Sequence, residues 1–318
     1  MQKSDSKSLF KSFSEKHDQV LLFSQKHSWW EEVVQDNWEV AIVEKGGQIQ
    51  AVWPYYIRQK GPWKMIAQAP LSPYAGPFLL YPEGQKNSTK ISFEHKVYEA
   101  LLDQLPQVAE IELSFPLSFK NGLAFLWKGF QQQIKYTYVL HLGQEKQQLW
   151  SGLRENIRRQ IRKAKKSLRI EMSYDAETLD QLVNQSFESR NDQNPIAGTD
   201  WIKRCVTYLE KHRCGAVYVA KEGDITHAGI GVIYDAHSAY YLIGGAASQH
   251  KNSGAMSLLM WEAIKAAKAK KVDHFNFEGS SIPSIEKYLR GFGGELNTFP
   301  KMVKRSSKSF ELLKGLKS

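Results

Sequence analysis

The sequence predicts two α/β domains of similar layout, and three observations carry that expectation. The chain has 318 residues, and at roughly 100–200 residues per domain two cores can be buried. Helix-period and strand-period segments alternate along it, with no low-complexity tract or short repeat. The order helix, hairpin, strand, loop, helix, strand, helix, strand is clear in the C-terminal half and fainter in the N-terminal half, which is the pattern of mixed sheets flanked by helices. The expected organisation is a polar lead-in over 1–17, one domain over 18–142, and a second over 143–318 that opens on a basic amphipathic helix.

In the first domain, His17 to Val34 reads as a helix ending in the pair Trp29 and Trp30. WEVAIVE and QIQAVWPYYIR, joined through Gly46 and Gly47, form a hairpin signature. Pro54 inside the second run calls for an edge or a bulge. Met65–Gln68 and Pro77–Tyr81 read as short strands around the loop APLSPYAG, which carries Tyr74 as a candidate pocket-rim residue. Ser92–Leu105 is helical and Val108–Ser114 a strand.

In the second domain, Ala176–Asn191 and Asp200–His212 are helical, and AVYVA with AGIGVIY makes a hairpin through Glu222, Gly223 and Asp224. AYYLIG is a further strand. A polar loop follows, and Gly254 opens a helix whose apolar positions fit the 3.6 period. VDHFNFE alternates with period 2, so His274, Asn276 and Glu278 are expected on one strand face. Ser284–Gly291 reads as a short helix.

Composition excludes several classes. With 42% hydrophobic and 12% aromatic residues the chain is globular. Its apolar runs fall short of the roughly 20 residues of a membrane-spanning helix, and the polar N-terminus lacks a secretory signal. Two cysteines form neither a disulfide framework nor a zinc pattern. A soluble, cytoplasmic protein with no metal is expected.

The net charge of +10 is concentrated. Trp150–Arg169 holds eight basic residues and one acidic, and Lys301–Ser318 holds six and one, so the rest of the chain is close to neutral. In the first segment Leu149, Leu153, Ile157, Ile161, Ala164 and Leu168 recur at helical spacing, leaving the cations on the other face. That face is either simply solvated or meets an anionic partner, such as phosphate groups, a polyanion like tRNA, or an anionic membrane surface contacted peripherally. Like charges at i,i+4, including Arg158 and Arg162, disfavour an isolated helix and favour the anion.

Two segments bear chemistry. ASQHKNSGA lies between a strand and a helix start, where free N–H groups and the helix dipole attract phosphate and Lys251 can add charge. FNFEGSSIPSIEKYLRGFGG places Glu278 where a strand leaves the sheet. There it serves as a general base, or it is a solvated carboxylate or a helix cap. Arg290, among glycines, meets backbone or an anionic ligand. Arg190, in the loop Ser189 to Gly198, is a second candidate pocket-rim residue.

GLRENIRRQIRKAKK, AGIGVIYDAHSAYYLIGGA and GAMSLLMWEAIKAAKAKKVDHFNFEGSSIPSIEKYLRGFGGE together resemble the C-terminal half of proteins in the Gcn5-related N-acetyltransferase (GNAT) superfamily. They are similar in particular to its FemABX and acetyltransferase-6 (CelD-like) branch. The resemblance covers about Leu149 to Val303, with YAGP (Tyr74 to Pro77) a weak feature of the other half. It implies two tandem GNAT-like acyl-CoA N-acyltransferase domains. It also implies that Lys251, Asn252, Ser253, Gly254 and Ala255 face the phosphates of acyl-CoA; the FemABX branch uses aminoacyl-tRNA as donor instead. Backbone N–H groups from Tyr241 to Gly244 would then stabilise the oxyanion, and Glu278 would accept the proton of the amine.

The expected function is an acyl- or aminoacyl-transferase acting on an amine, either a small molecule or a peptidoglycan precursor, in cell-envelope metabolism. The alternatives are a non-catalytic nucleic-acid-binding module built on the basic helix, and a degenerate transferase fold used as a scaffold.

Overall fold

The computed structural model describes residues 3–307 and 309–311. Lys308 and residues 312–318 of the expected cationic tail lie outside them. The chain divides into two units, one made of Met1–Lys135 with Thr298–Ser318 and the other of Tyr136–Asn297.

The first unit begins with α1 (Lys3–Lys16), a helix within the polar lead-in. Phe10 and Phe13 lie on one side of that helix and are buried, and Phe10 meets Trp38 edge-on at 6.1 Å. The segment expected as one helix over 17–34 is instead a 3-10 turn at Phe23–Gln25, a short α2 (His27–Trp29) and a π turn at Trp30–Val34. Ser24 and Gln25 explain the break. Both are buried, and they spend their side chains on the Tyr74 and Gly76 carbonyls at 2.8 and 3.1 Å.

The strands β1 (Trp38–Lys45), β2 (Gln48–Lys60) and β3 (Trp63–Ala67) form an antiparallel meander. The two-residue β4 (Phe78–Leu79) pairs with Ala51 and Val52. Pro54 stands opposite Val40 in β1, and its other side falls in the gap between the stretches that pair with β4 and with β3, where its missing N–H costs nothing. α3 (Asn87–Leu102) leads to β5 (Glu110–Ser114), which runs parallel to β3. α4 (Leu123–Trp127) follows and closes the aromatic core of Trp53, Phe115 and Phe125.

The second unit repeats that plan. Between β6 (Gln131–His141) and β7 (Arg169–Met172) come α5 (Lys146–Gly152) and α6 (Glu155–Ala164). The basic segment is therefore two helices, broken at the extended Leu153 and Arg154. All six of its periodic apolar residues are nevertheless buried. α7 (Ala176–Glu188) and α8 (Trp201–His212) precede the meander β8 (Gly215–Glu222), β9 (Ile225–Tyr234) and β10 (Ser238–Ala246). α9 (Ala255–Ala269) crosses back to β11 (His274–Asn276), parallel to β10, and α10 (Pro283–Leu289) and β12 (Glu295–Arg305) complete the chain.

Each meander thus has a parallel strand beside it and an antiparallel strand beyond that. The last strands are exchanged in sequence. β5 pairs with Lys301–Arg305 of β12, while β11 pairs with Val139–His141 of β6. The sequence-based boundary near Gly143 differs from the observed one because β6 from Tyr136 onward belongs to the second unit and β12 from Thr298 onward to the first.

Candidate acyl-transfer site

β10 and β11 pair only from Ser238 to Tyr240 against His274 to Asn276. Beyond that β10 runs on to Ala246 through a bulge at Tyr241–Ile243, whereas β11 has ended. Two parallel strands that part in this way open a notch at their C-terminal ends, the place where α/β sheets collect functional groups.

Glu278 stands there, but not on the strand. Its φ is +61°, and Gly279 follows at +67°. A left-handed glutamate costs energy that surrounding contacts must offset, a pattern associated with functional positions, whereas Gly279 adopts the same region freely. Here the contacts are specific. Asn276 Oδ1 accepts from the Glu278 amide at 2.9 Å and from the Thr137 hydroxyl at 2.8 Å. A Cβ at Gly279 would stand 2.1 Å from the Tyr136 carbonyl oxygen, so no other residue fits. The expected shared face of His274, Asn276 and Glu278 therefore ends at Asn276. Glu278 Oε1 is shielded from solvent and has no hydrogen-bond partner. Burial raises its carboxyl well above the ordinary range, as desolvation of a carboxylate requires.

Two tyrosines share the neighbourhood. Burial pushes the Tyr241 phenol up to about 12, with the Arg190 guanidinium partly opposing it. Burial raises Tyr288 further, a hydrogen bond from the Ser257 hydroxyl partly opposes it, and Tyr241 adds to it. Arg190, just past α7, stacks over Phe187 at 4.8 Å and lies 3.6 Å from Asp192. Its field reaches Tyr241, so the structure brings these two candidates together.

The start of α9 lies in the same unit. Gly254 caps it with φ +83° and no side-chain cap. A Cβ there would sit 2.6 Å from the Gln160 carbonyl of α6. Ser253 Oγ accepts from the Ala255 amide at 3.2 Å. Lys251 and Asn252 are exposed, Ser253 and Gly254 half-buried, and Ala255 buried. Lys163 donates to the Asn252 carbonyl at 3.2 Å, which brings a cation of α6 to this loop. With the Ala255 amide turned to Ser253, Lys163 and the dipole of α9 are what this helix start offers an anion.

The other candidates lie elsewhere. Arg158 and Arg162 share the Glu155 carboxylate at 2.8 and 3.0 Å, and the hydrogen bond from Arg162, then that from Arg158, lowers its acidity range. Arg290 pairs with Glu286 at 2.9 Å, which also accepts the Tyr138 hydroxyl. Tyr74 is a correction to the expected pocket rim. It is 2% exposed and packs edge-on against Phe299 in the core of the first unit. Sequence reasoning passed over Thr137, Ser257 and Tyr288. Ser257 carried a signal, since it is a hydroxyl inside the apolar run AMSLLM. A cavity of about 530 Å³ lined by His141, Lys268, Asp273 and His274 lies at the opposite end of β11, away from Glu278.

Residues 151–288 match the family described as "Acetyltransferase (GNAT) domain". No curated protein matches the chain in sequence. Among solved structures it is similar to FemX, at 12% identity and a TM-score of 0.66 over 98% of both chains. The C-terminal domain of a putative lysylphosphatidylglycerol synthetase from Agrobacterium fabrum gives 11% and 0.60, over 97% of this chain and 96% of that one. A tandem GNAT protein from the clavulanic acid biosynthesis pathway gives 10% and 0.52, over 86% and 84%. At such identities the likeness is one of fold, and the fold is two tandem GNAT-like domains. No helix among the described residues is long and apolar enough to cross a membrane.

Proposed function

For this chain, whose residues 151–288 match the acetyltransferase (GNAT) domain family, we propose transfer of an acyl or aminoacyl group from a phosphate-bearing donor to an amine of a cell-envelope precursor. The observation that carries the reading is Glu278, half-buried after the end of β11, with its Oε1 shielded from solvent and without a hydrogen-bond partner, beside the parted strands β10 and β11. Two of the structural relatives are FemX and a putative lysylphosphatidylglycerol synthetase domain, which supports an envelope setting.

The donor supplies a carbonyl already activated as a thioester in acyl-CoA or as an ester in aminoacyl-tRNA. Lys251, Lys163 and the dipole of α9 hold its phosphate. The amine nitrogen bonds to the carbonyl carbon, and the amine proton passes to Glu278 directly or through one water. A carboxyl with a raised pKa is suited to take a proton near neutral pH. Backbone N–H groups at the Tyr241–Ile243 bulge face the growing oxyanion. The carbon–sulfur or carbon–oxygen bond then breaks, and the leaving sulfur or oxygen takes a proton from Tyr241 or Tyr288, phenols that burial keeps protonated.

The test is turnover measured by mass spectrometry with acetyl-CoA or aminoacyl-tRNA, each offered with muropeptide and aminolipid acceptors, alongside thermal shift with each donor. Product with either donor supports the reading. Neither product nor any thermal shift at donor excess overturns it. A second reading, a polyanion-binding module, draws on the net charge of the α5–α6 segment. It predicts tRNA binding that weakens steeply with salt and no transfer.

A further inference from the structure

Three of the five side chains of α4 face solvent, and all three are large and apolar. Trp127 is 60% exposed, Leu123 45% and Leu126 43%. Their spacing of i, i+3 and i+4 puts them on one face of the helix, while Ala124 and Phe125 are buried. α3 extends that face. His95 meets the Trp127 ring edge-on at 4.7 Å, and Ile91, one turn earlier on α3, is 46% exposed. Tyr81, also exposed, flanks α3 from the segment ahead of it. Single exposed apolar residues are ordinary, but a contiguous group marks a contact surface.

The group is held in place. The buried Glu94 carboxylate of α3 accepts from the Tyr81 hydroxyl at 2.8 Å and from the Asn121 carboxamide, just ahead of α4, at 2.8 Å. Lys128, which follows Trp127, pairs with Asp103 at 2.8 Å.

The charge beside it is mostly of one sign. Residues 80–96 and 119–128 hold five lysines and two glutamates, and one of those two is the buried Glu94. Lys90 Nζ sits over the Tyr81 ring at 4.3 Å, and Lys86, Lys96 and Lys120 are exposed. Trp, Tyr, Leu and Ile beside lysines suit a lipid interface, where the rings and aliphatic chains enter and the ammonium groups stay at the headgroups. Protein interfaces have the opposite preference. They are depleted in lysine, and a stable one engages about 20–30 residues a side, far more than this group supplies.

We infer that the α3–α4 face of the first unit is a membrane-contact surface. Ile91, Leu123, Leu126 and Trp127 enter the boundary between headgroups and acyl chains of an anionic bilayer, and the lysines meet its phosphates. The contact uses none of the cations of α6, and it does not depend on the acyl-transfer reading.

The test is co-sedimentation of the full chain, without donor, with vesicles of equal parts phosphatidylcholine and phosphatidylglycerol. Binding is expected, and it should be weaker on phosphatidylcholine alone, since each lysine near an anionic surface adds about fivefold. Leu126→Ser/Trp127→Ser is expected to lower affinity for the mixed vesicles about tenfold or more. Lys120→Glu should lower it by a smaller factor. Should the change at Trp127 disturb His95 and the melt, Leu123→Ser/Leu126→Ser carries the same comparison. Brominated phosphatidylcholine in the mixed vesicles should quench the wild type more than Trp127→Phe, a variant that keeps an apolar ring and still binds. No binding by the wild type overturns the proposal, and so does equal quenching of those two proteins. Binding that the serine variants leave unchanged overturns it as well, and charge reversal at Arg158 and Arg162 then shows whether α6 is the contact. A dimer in sedimentation equilibrium that Leu126→Ser/Trp127→Ser dissolves assigns the face to a second copy of the chain and likewise overturns it.

Discussion

The Thr137 hydroxyl donates to Asn276 across 139 positions of sequence, and both residues are almost wholly buried. Because the same Asn276 oxygen receives the Glu278 amide, β6 sets the backbone turn that aims the carboxylate. Asn276→Ala leaves the Thr137 hydroxyl and the Glu278 amide without this acceptor, and is expected to cost about 1–3 kcal/mol. Urea unfolding checks the loss. A Thr137/Asn276 double-mutant cycle should return a coupling well above zero.

Glu278→Gln is expected to lower turnover by about 10²–10⁴-fold if the carboxylate takes the amine proton. Its effect on stability has the opposite sign. The folded carboxyl titrates above its ordinary 4.5, so between that value and the raised one the folded chain binds more protons than the unfolded. Stability contributed by the neutral form is full below 4.5 and is lost as pH rises through the raised value. The variant should therefore melt higher than the wild type at alkaline pH and lose this part of the pH dependence. The rate of the wild type should climb with pH over the same window, as the base becomes ionised.

Gly254→Ala must place a methyl 2.6 Å from the Gln160 oxygen in a backbone conformation that favours glycine. A loss of about 1–3 kcal/mol is expected, measurable by thermal or denaturant unfolding. Donor affinity should fall with it, since the seat of α6 on the α9 start is what moves.

Charge reversal at Arg158 and Arg162 should leave the melting temperature close to that of the wild type, because ion pairs to the exposed Glu155 contribute little. If tRNA is the donor, each reversal should flatten the log–log salt dependence of binding by about 0.7–0.9. An unchanged slope would assign these arginines to Glu155 alone.

A fragment of residues 136–297 should fold cooperatively, whereas 143–318 should not. The second lacks the Thr137 bond and the β6 partner of β11, and it carries residues 301–305 without the β5 they pair with. Circular dichroism melts of the two fragments decide the point.

The helical spacing of Leu149 to Leu168 marked the buried face correctly, since apolar periodicity reports what is buried even where the helix breaks at Leu153. The hairpins at Gly46 and Gly223 were equally legible, because turn chemistry is local. Phe10 and Phe13 went unnoticed in a polar stretch, where two apolar residues are too few to set a period. Glu278 was marked from its place after a strand, but its left-handed turn depends on Asn276 and Thr137, a bond made in three dimensions. Tyr74 read as a loop residue and is a core one, because Ser24 and Gln25 pin its loop inward from fifty positions away.

The exchange of last strands also orders synthesis against sequence. As the chain leaves the ribosome, the second unit holds all of its strands once Asn297 has been made. The first unit, though begun earlier, waits for Lys301–Arg305 before β5 finds its antiparallel neighbour. Domains generally fold as units, the N-terminal one first. Here the half of the protein that is translated first is the last to be completed, and its unpaired β5 edge is open throughout that interval to a chaperone or to a wrong strand.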